Sequence, residues 1–334
     1  MLTVDVSLMK WHNPTNGDTP MAETPSESRA YSAHVQSLWL ADIVTIGLLI
    51  GFVAMIYIWE QLLEPRFDDS ALLLAGTILA LVPALLWLWF FYRRDAAEPE
   101  PRAMVLGVFA LGALLAASVG NALLNSVFHV TDWMYANQPW SYIAAAVLVI
   151  GFTQQFLIYA AVRWSVFGSA EFDGPTDGII YATAAGLGYA TILNIRFIIN
   201  DGAASLTLAA IQIVMSALAL ASFAGIVGYF LGREKHEERP VWWMAAGLVL
   251  AAVLNGVFLF LRGQLTGGST VGGAPANNWL SLIIAAILAI GTALILSRLI
   301  REDVEEDLLE EAAAFDAALA EDAVREAAEV QEDA

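Results

Sequence analysis

The sequence predicts an all-α polytopic membrane protein, a bundle of about eight transmembrane helices. Three observations carry this prediction. Of 334 residues, 58% are hydrophobic and only 15% charged, and the mean hydropathy is +0.64, well outside the range of soluble globular chains. The apolar residues gather into eight stretches, each about long enough to cross ~30 Å of hydrocarbon as a helix. The cations collect in alternate connections between those stretches, as they do when only one side of the membrane retains positive charge.

Residues 1–37 are polar, with Pro14, Pro20 and Pro25 among Thr, Ser and Glu, and they lack the charged-then-apolar pattern of a cleavable signal peptide. They are expected to form a disordered cytoplasmic tail. The membrane domain occupies 38–300, with spans expected near 38–59, 71–92, 103–129, 141–166, 177–200, 203–232, 241–261 and 278–298. Residues 301–334 make an acidic cytoplasmic tail whose 14 acids and two arginines give −12 of the total charge of −19. Its Leu308, Leu309, Phe315 and Leu319 keep a loose helical period, but the charge favours a solvated tail. Orientation follows from the cations. Lys10, Arg29, Arg93, Arg94, Arg102, Arg163, Arg233, Lys235, Arg239, Arg298, Arg301 and Arg325 fall on one side of an eight-span arrangement, against Arg66 and Arg262 on the other. Both termini are therefore expected in the cytoplasm of a multi-pass cell-membrane protein. Arg196 alone falls inside a span, close enough to its outer end to snorkel.

Small residues recur every four positions at Gly112, Ala116 and Gly120, at Ala182, Gly186 and Ala190, and at Ala221 and Gly225, then Gly228 and Gly232. That spacing lets helix backbones approach closely, mostly within one chain. Trp87, Trp89, Trp133, Trp140, Trp164, Trp242, Trp243 and Trp279 lie near span ends and fit an aromatic belt. With 34 acids against 15 Lys and Arg, nucleic acid is excluded as a partner. With two lysines against thirteen arginines and acids in every soluble segment, the chain resembles proteins of salt-loving archaea. Cysteine is absent, so no thiolate metal site, disulfide or cysteine nucleophile arises.

The candidate functional residues are amides. Gln154 and Gln155 stand together inside the apolar fourth span, Asn194 in the fifth and Asn255 in the seventh, joined by Asn121, Asn125 and Gln212. An amide in hydrocarbon seeks hydrogen-bond partners and has no basic lone pair with which to activate water. The four histidines, His12, His34, His129 and His236, lie in tails, loops or at a helix end, and spans four to eight hold no Glu or His in their interiors. No zinc site or other cofactor is expected, since zinc needs three or four such ligands converging. Asp177 reads as an N-cap or first-turn residue of the fifth span. Asp95, Glu98 and Glu100, beside Arg93, Arg94 and Arg102, read as a salt-bridged turn that Pro99 and Pro101 hold between two helices.

The charged turn Tyr92 to Arg102, the glutamine pair and the block Asp177-Gly178-Ile179-Ile180-Tyr181 with Gly186-Leu187-Gly188-Tyr189-Ala190 together resemble the PrsW family of intramembrane proteases, relatives of the CAAX prenyl endopeptidases. The resemblance covers roughly residues 40–300. It implies a D-x-x-E-P-E-P turn, an E-E-x-x-K span, a D-G-x-x-Y-G block followed by G-F-A-x-x-E-N, and two later helices that each supply a histidine. Carried onto this chain, the E-E-x-x-K element falls on Gln154, Gln155 and Ile158, and the E-N pair on Leu193 and Asn194. The two histidine positions fall on Leu220 and on Ala251, the latter followed by Asn255. The expectation is a pseudoprotease that keeps the scaffold without the chemistry, its amides Gln154, Gln155, Asn194 and Asn255 lining a vestigial cleft.

Its expected surroundings are the lipid bilayer, and its expected partner is a transmembrane segment of another membrane protein. Two alternatives stay open. One is an active intramembrane peptidase using relocated residues, Asp177 or the Asp95 to Glu100 turn. The other is a transporter, for which the amides would line a path, although no membrane-embedded carboxylate or clear internal repeat supports it.

Overall fold

A computed structural model of the chain describes residues 47–63, 68–94, 101–172, 175–201, 206–236, 239–266, 278–292, 294–296 and 298. All lie in the unit Asp42–Ala334. Both tails, most of the 93–102 turn and the glycine-rich loop after the seventh span lie outside these residues.

Among the described residues the architecture is helical. We number the helices α1 (Gly47–Leu63), α2 (Asp69–Arg94), α3 (Arg102–Val127), α4 (Trp140–Ser165), α5 (Pro175–Asp201), α6 (Leu206–His236), α7 (Trp243–Thr266) and α8 (Asn278–Leu296). Among the described residues, the six helices α3 to α8 are long and apolar enough to cross a membrane, and α1 and the Leu74–Leu86 part of α2 are shorter apolar helices. Each of the eight expected stretches thus contains a helix. The protein is an all-α polytopic membrane protein.

The helix ends follow local chemistry. Pro101 stands just before α3, where a residue without an N–H removes nothing the helix needs. Asp177 lies in the first turn of α5, favourably placed for the helix dipole, and is buried. The start of α6 is capped from another helix: the Glu60 carboxylate of α1 accepts the backbone N–H groups of Leu206 (3.0 Å) and Thr207 (2.9 Å), and the Thr207 hydroxyl as well. Sequence reading passed over Glu60 because an i-to-i+146 cap leaves no local signature.

Helix α5 is central, with α6 along one side and α3 along another, and the small residues make this possible. A Cβ placed on Gly178 would overlap the carbonyl of Gly228, and one on Gly228 would overlap the carbonyl of Gly178. At Gly186 it would meet Ala224 Cβ at 2.7 Å and Leu220 O at 2.9 Å. On the other side, Gly188 abuts the carbonyl of Phe109 and Gly112 that of Ala185. The every-fourth-residue pattern therefore serves packing within the chain. Leu49, Val53 and Ile56 of α1, with Leu282, Ala285 and Ala289 of α8, join the apolar core on α6. Exposed indoles at Trp140, Trp164, Trp242 and Trp279 sit near helix ends, while Trp133 and Trp243 donate their ring N–H to the carbonyls of Phe128 (2.9 Å) and Phe230 (3.0 Å). The side chains of Trp87 and Trp89 lie outside the described ones.

Candidate functional site

Helix α4 changes its winding before it presents the glutamines. It is α-helical over Trp140–Ala144, π-helical over Ala145–Gly151 and α-helical again over Phe152–Ser165. Such π-helical stretches occur disproportionately at functional positions. At their end Gly151 lets α7 come in: a Cβ there would meet Ala252 O at 2.5 Å and Gly256 N at 3.3 Å. A Cβ on Gly256 would in turn meet Val147 Cγ2 at 2.6 Å and Ala146 O at 2.8 Å.

One turn beyond this contact the first amide pair closes. Asn255 Nδ2 donates to Gln154 Oε1 at 2.8 Å, with both residues buried. At ~1.5 Å rise per residue the pair lies roughly 15 Å from the α4 end at Ser165, near the middle of a bilayer core. A second pair forms between α5 and α6. Asn194 Oδ1 accepts the Ser216 hydroxyl, and its Nδ2 donates weakly to Ile213 O at 3.4 Å. Asn121 and Asn125 form a third pair along α3, at 2.6 Å, more exposed than the others.

Gln155 differs from all of these. It is 0% exposed, and neither its Nε2 nor its Oε1 has a hydrogen-bond partner. Leaving an amide so enclosed costs about 1–3 kcal/mol on the scale of protein substitutions. The predicted set Gln154, Gln155, Asn194 and Asn255 is thus divided into one bonded pair across α4 and α7, one residue bonded to Ser216, and one residue without a partner. Ser216 escaped sequence reading because a serine in a helix ordinarily bonds its own preceding turn, as this one also does to Gln212 O at 2.9 Å.

The positions onto which the resemblance carries Lys, Glu and His are apolar and packed. Ile158 and Leu220 are buried in one cluster with Leu157, Ala161 and Ala224, and Leu193 packs against it. Ala251 is fully buried in the neighbouring cluster with Leu248 and Phe258. Of the histidines, His129 lies in the connection after α3, 3.7 Å from Asp132 and exposed. His236 ends α6, and His12 and His34 lie outside the described residues.

These features define a class: a polytopic helical membrane protein with a neutral, amide-lined polar spot at mid-membrane depth. Comparison supplies the family. The model of the PrsW family intramembrane metalloproteases matches residues 100–290, so α3 to α7, the greater part of α8 and all four amides lie within the match. It begins later than the 40–300 of the resemblance, leaving α1 and α2 outside. Protease PrsW of Geobacillus kaustophilus (strain HTA426) is 28% identical over 182 residues, covering 54% of this chain and 76% of that protein. The Bacillus subtilis (strain 168) Protease PrsW is 28% identical over 192 residues, covering 56% and 82%. That of Clostridioides difficile (strain 630) is 27% identical over 193 residues, covering 55% and 77%. No solved structure matches. The chain belongs to the PrsW family.

The described residues of this site do not fit the family's metal. Among the described residues no three His, Cys, Asp or Glu side chains come together. The buried polar groups at the site are neutral amides and a hydroxyl, poor ligands for a zinc ion, which takes thiolate, imidazole or carboxylate. No step through a metal is derived from this set. What it offers is hydrogen bonding: donors and acceptors of fixed charge in a medium without competing water.

Proposed function

We infer that this PrsW-family chain is a pseudoprotease that binds segments of other membrane proteins without hydrolysing them. The observation that carries this reading is the pair Gln154 and Gln155 on the span where the family pattern carries Glu-Glu, set beside packed apolar Ile158, Leu193, Leu220 and Ala251. A glutamine amide cannot take a proton from water near neutral pH, and the apolar residues at the other positions supply neither base nor metal ligand. Restoring Glu at 154 and 155 is therefore expected to leave the protein inactive, because the remaining positions stay apolar.

The direct test is hydrolysis of a transmembrane substrate by purified protein. No cleavage is expected from the wild type or from Gln155→Ala. Cleavage by the wild type that Gln155→Ala abolishes would overturn the reading. Photo-crosslinking in native membranes from position 156, whose phenylalanine is partly exposed beside the pair, tests the binding half. Intact membrane-protein adducts are expected, whereas trimmed fragments would restore a peptidase and lipid adducts alone would leave a packed bundle.

We also place both termini in the cytoplasm. The absence of cysteine permits single-cysteine labelling at positions 10 and 66. An impermeant reagent applied to intact cells is expected to reach position 66 and not position 10.

A further inference from the structure

We propose that Gln155 alone among the buried amides reads the ligand, and that what it reads is the extended backbone of an unwound transmembrane segment. The proposal deepens the binding reading above and rests on it.

Each of the other buried amides has a partner. Gln154 and Asn255 bond one another, and Asn194 holds Ser216. Gln155 lies on the same helix, fully buried, with both ends of its amide unused. An unused amide at mid-membrane depth works against folding, and a leucine or methionine of similar size would avoid that cost.

The chemistry of the missing partner follows from the amide itself. Gln155 offers a donor and an acceptor side by side. One residue of an extended backbone presents the same two groups on one side, so its N–H donates to Oε1 while its C=O accepts from Nε2. Few occupants of the bilayer core match this. Acyl chains carry neither group, lipid ester carbonyls accept only and stay near the interface, and a regular helix has already used its backbone groups internally. A segment broken by glycine and proline has not, because proline removes an internal bond and leaves a carbonyl free. The backbone also varies here: the π-helical stretch Ala145–Gly151 leads directly into the turn that carries Gln155.

The test uses purified full-length protein in liposomes, with a photoreactive benzophenone amino acid at position 156. Two synthetic apolar peptides of about 22 residues serve as probes, one an uninterrupted Leu/Ala helix and one with a central Gly-Gly-Pro break. The broken peptide is expected to crosslink at least about tenfold more than the uninterrupted one, the loss that one hydrogen-bonded contact represents. Gln155→Met and Gln155→Leu are expected to erase that preference and to raise the thermal midpoint by roughly 2 °C or more. Gln154→Met is expected to lower the midpoint, because it orphans Asn255. Ser222→Ala, whose hydroxyl bonds only its own helix at Leu218 O, is expected to change neither readout.

If Gln155→Met keeps the preference for the broken peptide, the proposal falls while the binding reading stands. If it lowers the midpoint as Gln154→Met does, Gln155 has a partner in the folded protein and the proposal falls as well. If neither peptide crosslinks to the wild type, both are overturned.

Discussion

Two of the seams in this bundle solve the same problem differently. Between α5 and α6 the backbones meet at Gly178 and Gly228, and the side chains of Thr191, Asn194, Ser216 and Ser222 nearby have hydrogen-bond partners. Between α4 and α7 the backbones meet at Gly151 and Gly256, and the same closeness brings Gln154 to Asn255, yet Gln155 is left over. In lipid, association rests on close packing and internal hydrogen bonds because apolar burial gains little against apolar solvent. A glycine contact thus decides where amides can meet, and the residue identities decide whether they are satisfied. The first seam behaves as structure throughout. The second carries one group whose environment structure alone does not explain.

The comparison breaks most sharply at Gly228. A leucine there would drive into the Gly178 carbonyl and the backbone of Ile179, where no flexible side chain can yield. Gly228→Leu is expected to cost about 3 kcal/mol or more, at or beyond the upper end of core overpacking. Size-exclusion profiles and thermal melts in detergent check this, the expected result being a dispersed protein without a cooperative transition. Gly107, which has open space around it, provides the contrast: Gly107→Ala is expected to leave the melt within about 0.5 kcal/mol of wild type.

Next comes the polar half of the second seam. Gln154→Met removes the acceptor of Asn255 Nδ2 in a buried place and is expected to cost about 1–3 kcal/mol. Adding Asn255→Leu removes the orphan, so the double variant should recover part of that loss. Thermal melts of the two single variants and the double one give the coupling energy, expected at about 0.5–2 kcal/mol. Strict additivity would show that the 2.8 Å bond contributes nothing to the seam.

Much of the fold was legible in the sequence because lipid imposes a length and a composition. Six of the eight expected spans agree with helices long and apolar enough to cross, and the small-residue spacing pointed to the α3, α5 and α6 contacts. Composition also singled out the amides, since polar groups are rare in such spans. Their pairing was not legible. Gln154 reaches Asn255 across 101 positions, and nothing local distinguishes it from Gln155, which faces elsewhere and stays unpaired. Adjacent residues on a helix point about 100° apart, so helix rotation decides which of two identical side chains is satisfied. The π-helical turns before the pair alter that rotation, and sequence periodicity does not report them. Glu60 was missed for a related reason, as its value lies in the start of a helix far along the chain.

A smaller effect is expected at that cap. Glu60→Ala strips an acceptor from two backbone N–H groups and one hydroxyl at the start of α6. The expected loss is about 1–2 kcal/mol, the range for helix N-caps with a favourable dipole. Glu60→Gln keeps one acceptor oxygen and should lose less. Hydrogen exchange at the first turn of α6 reads the effect locally, and faster exchange there with little change at α7 is the expected pattern.

The smallest effect sharpens the comparison within a single helix. Ser216 and Ser222 both lie on α6, and each hydroxyl has a carbonyl one turn back within hydrogen-bond reach, Gln212 O for Ser216 and Leu218 O at 2.7 Å for Ser222. Only Ser216 also meets the carbonyl oxygen of an amide on a neighbouring helix, Asn194. A carbonyl inside a helix already holds its backbone partner, so losing the Ser222 hydroxyl orphans nothing, and Ser222→Ala is expected to stay within about 0.5 kcal/mol of wild type. Ser216→Ala leaves Asn194 Oδ1 buried without its donor and should cost about 1 kcal/mol or more. Parallel melts of the two variants separate the contribution of the contact between helices from that of a hydroxyl folded back on its own turn. Equal losses would mean that burial of the hydroxyl itself matters, and that the Asn194 contact adds nothing to the α5–α6 seam.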